Sequence, residues 1–131
     1  MYCPASSFLL DYLNADRPAS ADAKAYLEAH PDREYHVPAV AYFEVLRGGA
    51  RLRGAAGVAD LVDQLAWADR LPFTPAGGRE AALVDGELES AGREINLGDV
   101  LIAGNVREAG GTVLTRDDHF ERVEGLDVET Y

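Results

Sequence analysis

Apolar positions along the chain fall into short strand-like blocks separated by longer stripes at helical spacing. Met1 to Ala5 predicts a short opening strand. Ser6 and Ser7 stand where helix caps stand, ahead of Phe8, Leu9, Leu10, Tyr12 and Leu13. Ser20 opens a second helix carrying Ala23, Tyr26 and Leu27, stopped by His30-Pro31. Tyr35 to Val37 predicts a second strand. Pro38 suits the first turn of the helix that follows, with Val40, Phe43 and Leu46 on its stripe and an end at Gly48-Gly49. Val58, Leu61, Leu65 and Ala68 make another stripe, and Arg70 to Phe73 a strand. Ala81, Val84 and Leu88 mark a long helix ending near Gly92, and Asn96 starts one with Val100, Leu101, Ala103 and Val106, closed by Gly110-Gly111. Thr112 to Thr115 is a β-branched strand, and Leu126 to Val128 a last edge strand.

Strands alternating with helices predict an α/β domain with a central parallel sheet covered on both faces. With no repeat, low-complexity tract or linker, residues 1–131 read as one domain. In such sheets ligands sit beyond the carboxyl ends of the strands, at a topological switch point.

Composition narrows the setting. A hydrophobic fraction of 47% over 131 residues supports one real core. No apolar run reaches the roughly 20 residues of a membrane helix. Cys3 is the only cysteine, so no internal disulfide forms and a reducing, cytoplasmic setting is expected. The formal net charge is -11, and Lys24 is the only lysine. So acidic a surface opposes nucleic-acid binding at ordinary salt, but adaptation to high salt gives the same composition, because screening there removes self-repulsion. The balance favours a halophilic setting, and the acidity then says little about the ligand.

Three acids stand apart from the mixed polar stretches that hold the rest. Glu44 is the sole charge between Val37 and Leu46, Asp99 the sole charge between Ile95 and Val106, and Asp117 follows the strand ending at Thr115. A carboxylate set among apolar residues usually has a partner, since burying it alone costs several kcal/mol. With few cations nearby in sequence, a metal ion is a natural one. Each acid also has a plainer reading: Asp99 as a partner of Asn96 at a helix start, Asp117 as a turn former, Glu44 on a solvated helix edge.

The segments Ser6-Ser7-Phe8-Leu9-Leu10-Asp11-Tyr12-Leu13, Val37-Pro38-Ala39 with Glu44-Val45-Leu46-Arg47-Gly48, Gly98-Asp99-Val100-Leu101-Ile102-Ala103 and Thr115-Arg116-Asp117 before His119-Phe120 resemble a PIN domain of the VapC-type toxins. The resemblance spans essentially the whole chain and implies a three-layer α/β/α sandwich with a mainly parallel sheet. It also implies a ribonuclease using Mg²⁺ or Mn²⁺, RNA as substrate, an antitoxin protein as partner and a homodimer. Glu44, Asp99 and Asp117 would then be three of its four metal-binding acids, and hard divalent ions do prefer such oxygen ligands. The fourth position is Ala5, which cannot bind metal, so the chain is expected to be catalytically impaired. Natural loss and deliberate replacement both fit, and the otherwise intact pattern favours replacement. Asp11, about one and two-thirds turns further on, is expected to point elsewhere as a surface or helix-contact residue.

Ser7, Arg47 and Arg116 are candidates for contacts beside the metal or with RNA, Arg being suited to phosphate. For Arg47, with Arg51 and Arg53, a solvated helix end is the competing reading. His119 could assist proton transfer or be structural. Trp67 and the tyrosines read as core or interface. The alternative function is a non-catalytic binding protein that keeps the fold and the antitoxin surface. A phospho-acceptor receiver domain is set aside, because it pairs its acids with a lysine on a late strand and Lys24 lies in an early helix.

Overall fold

The structure, a computed structural model, describes residues 1–131. Its elements follow in the order β1 (Tyr2–Pro4), α1 (Ser6–Leu13), α2 (Ser20–Ala29), β2 (His36–Pro38), α3 (Ala39–Gln64), β3 (Asp69–Leu71), α4 (Pro75–Ser90), α5 (Leu97–Ala109), β4 (Thr112–Leu114), a 3-10 turn (Asp118–Arg122) and β5 (Asp127–Glu129). β1 pairs with β4, β4 with β5 and β2 with β3, every pair parallel. The Tyr2 amide donates to the Glu34 carbonyl at 2.8 Å, and a Tyr2–Tyr35 bridge joins the two sets into the order β3-β2-β1-β4-β5.

From β1 the chain steps outward through β2 to β3, then crosses back to the other side of β1. The switch point therefore lies between β1 and β4. Right-handed crossovers put α1, α2 and α3 on one face and α4 with α5 on the other, giving the expected three-layer sandwich. Phe8, Leu9, Val37, Leu65, Ile102, Val106, Val113 and Phe120 fill the core. Each such side chain contributes roughly 1.5–3 kcal/mol on burial. The stripe Ala81, Val84 and Leu88 is buried along α4, and α5 has Asn96 as N-cap and Gly110 at φ 73 as its left-handed end.

The chain departs from its sequence pattern most clearly in α3. Gly48-Gly49 does not end the helix, which runs on through Arg53 and breaks at Gly54, where φ is 61 and ψ is -142. Eight residues of continuous helix span about 12 Å, yet a Cβ on Gly57 would lie 2.3 Å from the Gly49 carbonyl oxygen. The two arms of α3 thus fold back on each other at Gly54. Gly49 and Gly57 are the pair that lets their backbones touch, so the paired glycines mark a contact and not a stop. Pro38 also moves, closing β2 and flanking α3 as its N-cap residue instead of entering the first turn.

Candidate active site

At the switch point the ends of β1 and β4 lie side by side. The Ala5 amide donates to the Leu114 carbonyl at 3.0 Å. Ala5 is 2% exposed and is the N-cap residue of α1, at φ -79 and ψ 173. No side chain caps this helix. Ser6 and Ser7, expected as caps, lie inside the helix and reach to neighbouring elements: Ser6 Oγ donates to Glu44 Oε1 at 2.7 Å, and Ser7 Oγ lies 3.1 Å from Thr115 Oγ1. The position that the sequence resemblance assigns to a fourth acid thus also carries no side-chain cap.

Glu44 is half-buried in the second turn of α3. Ser6 holds its Oε1, while Oε2 lies against the start of α5, where a Cβ on Gly98 would stand 2.8 Å from it. Glycine at 98 leaves the room that this carboxylate oxygen occupies. Asp99 is the third residue of α5 and does serve the helix start: its amide donates to Asn96 Oδ1 at 3.0 Å, and Asn96 Nδ2 donates to Asp99 Oδ2 at 2.6 Å. His119 Nε2 also lies 2.6 Å from that oxygen and donates to it, leaving Oδ1 without a hydrogen bond. The histidine in the turn is thus attached to an acid of the candidate site. Asp117 is half-buried, its amide donating to Thr115 Oγ1 at 3.0 Å, and its carboxylate makes no hydrogen bond.

The structure links Glu44 to the start of α5 and fixes Asp117 through Thr115. It does not gather three acidic, histidine or cysteine side chains into a ready ligand cage. The donor chemistry does fit a hard divalent ion, because Glu44, Asp99 and Asp117 each keep at least one carboxylate oxygen outside any hydrogen bond.

Arg47 lies mid-helix, so its reading as a charge at a helix end fails. It stacks over Phe43, 5.4 Å from the ring centre, in a hollow shared with Glu44, Gly98, Leu97 and Leu101. Arg51 is exposed, and Arg53 pairs with Asp60. Trp67 and the tyrosines are packed as expected, Trp67 5.3 Å from Tyr12 and 5.6 Å from Tyr35, ring centre to ring centre.

Asp11 corrects the sequence reading most sharply. It is not a surface residue but 0% exposed, held by Arg17 Nε at 2.7 Å, Arg116 Nε at 2.6 Å and Nη2 at 3.2 Å, and the Tyr131 hydroxyl at 2.5 Å. Burial alone would raise its pKa, but the hydrogen bonds from Arg116, Tyr131 and Arg17 outweigh it and lower the carboxyl to about 2. Burial and the bond to Asp11 push the Tyr131 hydroxyl well above its ordinary range. Arg116 turns its guanidinium onto Asp11. The signal that could have revealed this was weak: one acid at helical spacing from Ser7 on an otherwise apolar helix.

The model of the PIN domain family matches residues 2–126. Among solved structures, the chain is similar to one from VapBC2 of Rickettsia felis bound to a DNA fragment from its promoter, with a TM-score of 0.84 and 17% identity over 99% of this chain and 98% of the other. It is also similar to one from FitAcB of Neisseria gonorrhoeae (0.81, 21%, covering 98% and 96%) and to VapC20 of Mycobacterium tuberculosis, a sarcin-ricin loop cleaving toxin (0.74, 16%, covering 95% and 95%). No curated protein matches the chain. No helix is long and apolar enough to cross a membrane. With the family model matching residues 2–126, nearly the whole chain and four of its five parallel strands, the chain belongs to the PIN domain family.

Proposed function

We propose that this chain is the toxin subunit of a toxin–antitoxin pair, built as a Mg²⁺- or Mn²⁺-dependent endoribonuclease and impaired by Ala5. The observation that carries the reading is the switch point itself: Ala5 at the end of β1, flanked by Ser6 on Glu44 and by Ser7 on the Thr115 that receives the Asp117 amide. Glu44, Asp99 and Asp117 would hold the ion, which supplies a water of lowered pKa and neutralises charge on the scissile phosphate. Ser6 fixes one oxygen of Glu44 and leaves the other for the ion. Asn96 and His119 do the same for Asp99. Arg47, exposed beside Glu44, suits a phosphate of bound RNA.

The solved complexes of similar fold support an antitoxin partner. An apolar hollow between α1 and the folded arms of α3 would receive it, lined by Leu10, Leu13, Val45, Leu52 and Leu61, with Leu52 86% exposed. A basic side chain of that partner would enter the acidic site. Phe43 and Leu97, exposed beside Leu101, suit the face of a homodimer.

The second reading, a non-catalytic binding protein, is favoured by one observation, the apolar Ala5 at the ligand position. Single-turnover cleavage of a folded RNA in molar KCl with Mn²⁺ separates the two. The Ala5→Asp chain should cut on the order of 10² to 10⁴ faster than the parent and stop in EDTA, a loss comparable to removing one electrostatic transition-state contact. Equal rates from both chains would remove Ala5 from the account, and silence from both would favour the binding protein.

A further inference from the structure

Ser7 and Asp11 lie one helical turn apart on one face of α1. Both reach the same loop, and they reach adjacent residues of it: Ser7 bonds Thr115, and Asp11 takes Arg116 through two nitrogens. The next residue is Asp117, whose amide returns to Thr115 Oγ1. The loop after β4 is therefore fastened at two consecutive side chains just ahead of the carboxylate it presents. A planar guanidinium gripped through Nε and Nη2 fixes direction as well as distance.

We propose that Asp11 is a positioning residue, acting through Arg116 to set where the Asp117 carboxylate stands at the switch point. This rests on the proposed metal role of Asp117. The geometry also supplies an internal control, because Arg17 grips the same Asp11 carboxylate at 2.7 Å from the turn after α1 and makes no side-chain hydrogen bond to the Asp117 loop. A merely structural carboxylate would feel the loss of either arginine alike. A positioning one would pass only the loss of Arg116 on to Asp117.

The test compares Arg116→Gln with Arg17→Gln by two readouts. The first is amide exchange at Asp117 in the full chain without metal. The second is Mn²⁺ affinity, by titration calorimetry, in the Ala5→Asp background. Arg116→Gln should speed Asp117 exchange and weaken Mn²⁺ binding about tenfold, the usual effect of removing a group that orients a ligand. Arg17→Gln should leave both within about twofold while lowering the melting temperature. Equal effects from the two variants, or none from Arg116→Gln, would overturn the proposal. Asp117→Asn separates the two layers. Unchanged Mn²⁺ affinity there removes the metal role, while the exchange contrast still decides whether Arg116 fixes the loop.

Discussion

Gly98→Ala separates stability from site geometry because the two should move in opposite directions. The added Cβ would stand 2.8 Å from Glu44 Oε2 and 3.4 Å from Glu44 Cδ, with only an ordinary contact of 3.5 Å to Asn96 Oδ1. Ordinary contact begins at 3.4 Å, so the oxygen must retreat by about 0.6 Å. The group that yields is the free end of a flexible side chain, at small cost to the fold. Alanine in a helix is favoured over glycine by up to about 1 kcal/mol, less in a first turn. The variant should therefore melt at the parent's temperature or a few degrees higher. A displacement of that size is large for a metal ligand, and in the Ala5→Asp background Mn²⁺ affinity should fall about tenfold. Calorimetric melting and Mn²⁺ titration on the same samples provide the comparison. Unchanged affinity would mean that Glu44 is not a ligand. A marked drop in melting temperature would mean that the α3–α5 backbones had moved instead of the carboxylate.

Gly104→Ala should be far worse for stability, because its Cβ would meet Ala81 Cα at 2.3 Å and Ala81 N at 2.4 Å, backbone that cannot swing away where α4 crosses α5. A loss of about 3 kcal/mol in chemical denaturation is expected. The Asp11 carboxyl lies at about 2 when folded against an ordinary 3.8. Its folded value is the lower, so its contribution is present above about pH 4 and lost as pH falls towards 2, on the order of 2 kcal/mol at most. The stability gap between the parent and Asp11→Asn should accordingly narrow over that window. Cys3 is fully buried, with burial pushing its thiol up to about 12, so native protein should resist alkylation at pH 8 and react only on unfolding.

Local periodicity revealed most of the fold because the cues for α4, α5 and β4 lie within each segment: the Ala81–Val84–Leu88 stripe, the Asn96 cap and the β-branched Thr112–Val113. The break in α3 was not legible, since Gly48, Gly49, Gly54 and Gly57 look alike in sequence. Only the tertiary contact between Gly49 and Gly57 shows which of them turns the chain. Ser6 and Ser7 had the composition of caps, but their hydroxyls found partners 38 and 108 residues away. Asp11 read as a surface or helix-contact acid because its partners Arg116 and Tyr131 lie 105 and 120 residues on. Isolation among apolar residues marked Glu44, Asp99 and Asp117 only as candidates. It could not reveal that Asn96 and His119 share one oxygen of Asp99.

In the proposed function, position 5, Glu44, Asp99 and Asp117 belong to one divalent-metal site. Anomalous diffraction from crystals of the Ala5→Asp chain soaked in Mn²⁺ tests it most directly. An ion is expected at the switch point between β1 and β4, bonded to carboxylate oxygens of position 5 and at least two of the other three acids at about 2.1 Å, with no such peak in Glu44→Gln crystals treated alike. A strong peak elsewhere on the chain, with these carboxylates left as they stand around Ser6, Asn96 and His119, would contradict it.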